Sequence, residues 1–245
     1  MRENITKARE IEQSVNRKYI ELREEAHREI GKATSNTDLS PEGRQKQAQR
    51  LRQKYAGEVI NLAKELKSDY QAEVTKAKVA AQKELEKETK KPDEVKVKKF
   101  ESNFNDLKTK IMLSNNSQES NKQLLEFVKS IEGEPYLANR LKDDFASVIS
   151  PILSNAGDQR SVFELRKSLE GTFNHLNTVS LTEEQREAKE VYDLSGSLYD
   201  AKLFSPVAMD NARDIFGREL PRYLNDPDSY PQDIEIDVQT GRMEV

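Results

Sequence analysis

The sequence predicts an all-α protein: a long antiparallel helical hairpin, then a smaller helical bundle, then an extended C-terminal tail able to form a short β-strand or hairpin. Three observations carry this. Apolar residues recur every eleven residues over the first part of the chain, a helical spacing. Charged residues make up 34% of the 245 and apolar residues 35%, with neither Cys nor Trp, as expected where much of the chain is helix with one wet face. Polar and proline-containing clusters separate the periodic segments, and three prolines crowd the residues after 217.

The first helix spans about Ile5 to Ala33, with apolar positions at Ile11, Val15, Tyr19, Leu22, Ala26, Ile30 and Ala33. Their spacings of four, four and three residues sum to eleven, which gives 3.67 residues per turn and nearly straight packing. The segment Thr34 to Asp38 ends it, because these residues hydrogen-bond their own backbone in competition with a helix. Leu39, Ser40 and Pro41 then restart one. Ser40 is a candidate N-cap, Pro41 loses nothing at a first helical position, and Leu39 is placed to staple the entry. The turn at about residues 34–41 fits an antiparallel connection.

The second helix runs from about Glu42 to Glu88. Ala48, Val59, Tyr70 and Ala81 recur every eleven residues, as do Tyr55, Leu66 and Ala77. At 1.5 Å per residue it would be roughly 70 Å long, and a helix of that length needs a partner along its apolar stripe. The shorter first helix leaves the stripe beyond Ser68 uncovered. Val74, Ala77, Ala81 and Leu85 are therefore candidate protein-contact residues, to be covered by the rest of the chain or by another protein.

Pro92 stops this helix, with Asp93 and Glu94 suited to the next first turn. Shorter helices follow over Phe100 to Ile111, Leu124 to Ile131, Leu137 to Ile152 and Phe163 to Leu176. Thr182 and Gln185 have capping-box spacing at the start of the next, and Val207 to Phe216 gives a last short one. Domains at 1–91 (hairpin), 92–217 (compact helical domain) and 218–245 (extended acidic tail) follow. In the tail, Ile234, Ile236 and Val238 alternate with acids, the pattern of an edge strand that could add to another chain.

No catalytic pattern emerges, so no enzyme, cofactor or metal site is expected. His27 and His175 are the only imidazoles and lie far apart, thiolate chemistry is impossible, and the nine glycines are scattered singly rather than gathered in a phosphate-binding loop. No apolar run could cross a membrane. Residues 1–91 hold 21 Lys and Arg against 16 Asp and Glu, and residues 92–245 hold 19 against 28. Arg44, Arg50, Arg52 and Lys54, with Lys46, form a basic run that could touch nucleic-acid phosphates, although their positions spread round the helix.

The wording LSPEGRQKQAQRLRQKY at residues 39–55, within the charged hairpin of residues 1–91, resembles virion-associated helical proteins of tailed bacteriophages, encoded near capsid and connector genes. The acidic end differs from the basic helical segment that closes many phage scaffolding proteins. The resemblance implies a structural or assembly protein of the virion, assembled in a host cytoplasm and contacting other virion proteins or further copies of itself. A phage-encoded regulator or inhibitor of a host protein or nucleic-acid complex is the alternative.

Overall fold

The structure, a computed structural model, describes residues 1–231 and the backbone of Glu235–Asp237 and Arg242–Glu244. The fold is all-α. Among the described residues there are nine α-helices: α1 (Arg2–Ser35), α2 (Pro41–Leu85), α3 (Glu94–Leu113), α4 (Ser117–Ser130), α5 (Pro135–Ser154), α6 (Gln159–Val179), α7 (Glu183–Leu198), α8 (Pro206–Phe216) and α9 (Pro221–Leu224). Glu235–Asp237 and Arg242–Glu244 pair antiparallel, Ile236 opposite Met243. Ile234 and Val238, the other two members of the tail alternation, lie outside the described residues.

Local chemistry explains the helix starts. Ser40 Oγ accepts from the Gly43 amide at 3.1 Å, and the first intrahelical bond of α2 runs from Arg44 N to Ser40 O. Asp93 caps α3 through the Lys96 amide, Asn116 caps α4 through two amides at 3.1 Å, and Asp158 caps α6 through Ser161 N at 2.8 Å. Thr182 and Gln185 cap α7 reciprocally at 3.1 and 3.2 Å. After α8, Gly217 takes a φ of 101°, a left-handed turn that side chains resist.

By packing, the chain divides into two compact units, residues 1–81 with 191–245 and residues 82–190. This differs from the domains expected from sequence. In the first unit, α1 and α2 bury one common core. Ala48, Val59, Tyr70 and Ala81 are each at most 1% exposed, and Tyr55, Leu66 and Ala77 at most 2%, so both eleven-residue series point inward. Tyr55 Oη donates to Glu25 at 3.2 Å, while farther from the turn Tyr70 feels the charges of Glu12 and Arg9, and Lys7 that of Glu73.

The remaining wall of that core comes from the far end of the chain. Leu203, Phe204, Ala208, Ala212, Phe216, Leu220 and Leu224 all join it, and Phe204 meets Tyr19 edge to face at 5.9 Å. Asn225 fixes the approach: its Oδ1 accepts from Phe204 N at 2.9 Å and its Nδ2 donates to Phe204 O at 3.0 Å. Residues 218–230 are thus folded into the core rather than part of an extended tail. The reason lies in where the prolines stand. Pro221 and Pro227 each begin a helical turn, α9 and the 3-10 turn Pro227–Ser229, where a missing N–H costs nothing.

The second unit is contiguous. Phe100, Phe104, Leu107 and Ile111 of α3, Leu124 and Val128 of α4, and the buried faces of α5 and α6 form its core. Phe104 stacks on Phe127 at 5.7 Å, and Phe145 tilts against Phe173 at 5.1 Å. Gln185, already engaged in the α7 cap, also donates to Lys87 O at 2.8 Å, which ties the chain beyond α2 to the start of α7.

Candidate protein-docking face

Helices α5 and α6 are neighbours whose apolar faces do not close completely on each other. On α5, Phe145, Ile149 and Leu153 follow at four-residue intervals and so share one face; on α6, Leu169 and Phe173 do the same. An open groove of about 460 Å³ lies between the two rows. Its floor is apolar, and its rim carries Lys142 and Asp143 from α5 with Arg166 and Glu170 from α6.

One turn before Arg166 stands Phe163, 70% exposed. It sits off the buried stripe of α6, which is Leu165, Leu169, Thr172, Leu176 and Val179. Phe163 and Leu165 are two residues apart, which turns them about 200° from each other on a helix. That angle is the sequence signal for an exposed aromatic beside the face.

The chemistry open to this groove is association. Its interior offers aromatic and aliphatic surface, which favours removal of another apolar surface from water. The rim charges carry both signs, which suits matching to another charged surface. A second hollow, about 570 Å³ beside Lys64, Gln71 and Thr75, is lined mostly by polar side chains. Among the described residues no three or more His, Asp and Glu side chains gather as a metal site, and His175 forms a pair with Glu132 at 2.8 Å.

Of the contact residues expected from sequence, Val74, Ala77 and Ala81 are fully buried within the chain, so they are not a docking surface. The chain itself covers that stretch of α2. Lys67 Nζ donates to Ala201 O at 2.8 Å, Gln71 Nε2 to Tyr199 O at 3.3 Å, and Lys78 lies 5.3 Å from the centre of the Tyr192 ring. Residues 192–201 therefore run along residues 67–78 in the opposite direction. Leu85 is half-buried at the end of α2.

No family model, no curated protein and no solved structure matches this chain. The basic run does not converge: Arg44 and Arg52 are half-buried and Arg50 and Lys54 exposed, with Lys54 Nζ 3.5 Å from Glu58. Burial matters at Arg44, whose Nε has no hydrogen-bond partner. A phosphate-tracking surface would need these cations on one accessible strip.

Proposed function

We propose that the chain is a non-enzymatic structural or assembly protein of a bacteriophage particle, acting through protein–protein contact. The observation that carries the reading is the α5/α6 groove with exposed Phe163 beside it, apolar within and mixed in charge at the rim. A groove of this kind suits a protein surface. The phage context is supported by the resemblance at residues 39–55.

In this reading α1 and α2 form a long antiparallel hairpin, sealed along its outer half by residues 192–201 and serving as a stiff spacer. The paired strands Glu235–Asp237 and Arg242–Glu244 add to a sheet of a neighbouring subunit, an isolated two-stranded ribbon being marginal in water. Mass spectrometry of purified particles tests the assignment. The expected result is the chain present at a fixed copy number. Its absence from particles, with capture of a single host protein from nuclease-treated extract, would overturn the reading in favour of a phage-encoded regulator.

A further inference from the structure

The outer flank of α6 carries residues at 159, 163, 166, 170, 173 and 177, with spacings of four, three, four, three and four. This is the spacing of a seam along which two helices can pack. The residues are Gln159, Phe163, Arg166, Glu170, Phe173 and Asn177, and the order reads alike from either end in chemical type: amide, aromatic, charge, opposite charge, aromatic, amide. Residue 168 is the midpoint of each outer, middle and inner pair. Ser168 itself points the other way, taking a hydrogen bond from Asn121 on α4 at 2.8 Å.

We propose that this face binds the same face of a second copy of the chain, the two α6 helices running antiparallel about a twofold axis at residue 168. A twofold contact is self-complementary: whatever residue i meets, its symmetry mate meets in return. Turning α6 about residue 168 sets Phe163 against Phe173 of the second copy, and Arg166 against Glu170. Phe163 then enters the groove beside Phe173 and Phe145 and leaves water.

The charges choose this occupant. Neither Arg166 nor Glu170 has an ion-pair partner within 4 Å among the described residues, so both are available to pair across the axis. A foreign protein would have to supply an acid and a base in mirrored order, while a second copy supplies them by symmetry. An aromatic side chain buries roughly 150–250 Å². Two of them account for roughly 300–500 Å², less than a standard specific interface, so the dimer is weak, reversible and concentration-dependent.

The inference rests on reading the α5/α6 face as a docking surface and names its occupant. Sedimentation equilibrium of the full chain over a range of concentrations tests it. Wild type should pass reversibly from monomer to dimer, and Phe163→Ala, an exposed site whose loss leaves the helical signal unchanged, should weaken association by about tenfold or more. Glu170→Arg sets like charges against each other and should weaken it as well. The double exchange Arg166→Glu with Glu170→Arg restores opposite charges across the axis and should recover most of the loss. A chain monomeric at every concentration, a dimer indifferent to Phe163→Ala, or a double exchange no better than the single one overturns the inference. If the monomeric chain is nevertheless a component of purified particles, the proposed function stands and only the occupant falls.

Discussion

The two compact units are both helical, yet they fill their interiors with different side chains. Along α1 and α2 more than half of the buried positions are alanine or tyrosine, among them Ala8, Ala26, Ala33, Ala48, Ala56 and Ala63 with Tyr19, Tyr55 and Tyr70, and the rest are valine, isoleucine and leucine. Between α3 and α6 they are mostly phenylalanine, leucine and isoleucine, with a few valines and a single alanine, Ala138. Alanine lets long helices lie close together but removes little surface from water, and burial contributes about 25 cal/mol per Å². The long-helix unit must take its large apolar groups from elsewhere, and Phe204, Phe216, Leu220 and Leu224 supply them from beyond residue 190. The shorter-helix unit contains its whole core within one stretch of chain, and such local contacts form first at the smaller entropic cost.

The largest effect should come from removing one of those distant groups. Phe204 is 2% exposed and packs on Tyr19, so Phe204→Ala should cost about 3–5 kcal/mol. Hydrogen exchange should then show lost protection in residues 1–81 and 191–231, with α3 to α6 retaining theirs. Equal loss in both units would mean that they unfold together and that the difference in composition has no bearing on cooperativity.

The small buried residues of the long helices give the next effect. Ala63 has no exposed surface, and Ala63→Leu should destabilise by roughly 1–3 kcal/mol, because the added methylenes must force α2 from its neighbours. Urea unfolding measures it. A neutral result would mean that the alanine stripe leaves free space.

These contrasts were only partly legible in the sequence. The eleven-residue series was readable because each member carries its own spacing, and Tyr70 and Ala81 were placed on the buried face by Ala48 and Val59 alone. The partner of residues 67–78 was not readable. Tyr192, Tyr199 and Ala201 lie more than a hundred residues away, and their spacing is equally that of a helix packed in its own bundle. Pro221 and Pro227 are ambiguous in the sequence because a proline breaks a helix interior and begins a helix with the same φ. The groove is hard to read from the sequence because Phe163 looks like a core residue until the angle to Leu165 is counted.

The tyrosine core has a further consequence. The Tyr19 and Tyr70 hydroxyls are buried without a hydrogen-bond partner. An unsatisfied buried hydroxyl costs about 1–3 kcal/mol, so Tyr70→Phe should stabilise the first unit by roughly 1 kcal/mol, seen as a higher urea midpoint with unchanged slope. No phenylalanine of the second unit offers the same gain. A destabilised Tyr70→Phe would show that the hydroxyl is satisfied in solution.

The smallest effects divide the units by pH. Burial pushes the Tyr19 hydroxyl from 10.0 up to about 12. The unfolded chain therefore releases this proton first as pH rises, and the stability it confers is complete below pH 10 and is lost between about 10 and 12. Asp158 moves the other way: the Ser161 amide and hydroxyl, hydrogen-bonded to its carboxylate, hold it below its ordinary 3.8. Its contribution is present above about pH 4 and is lost as pH falls through the lowered value. Alkali should thus loosen the long-helix unit, and acid the start of α6, where Phe163 stands. Tyr19→Phe should flatten the alkaline fall in melting temperature. Asp158→Asn, which keeps an N-cap acceptor without a titrating charge, should flatten the acid fall. Since α6 carries the proposed twofold face, wild type should lose self-association in acid sooner than Asp158→Asn does, and equal loss in both would disconnect the cap from the docking face.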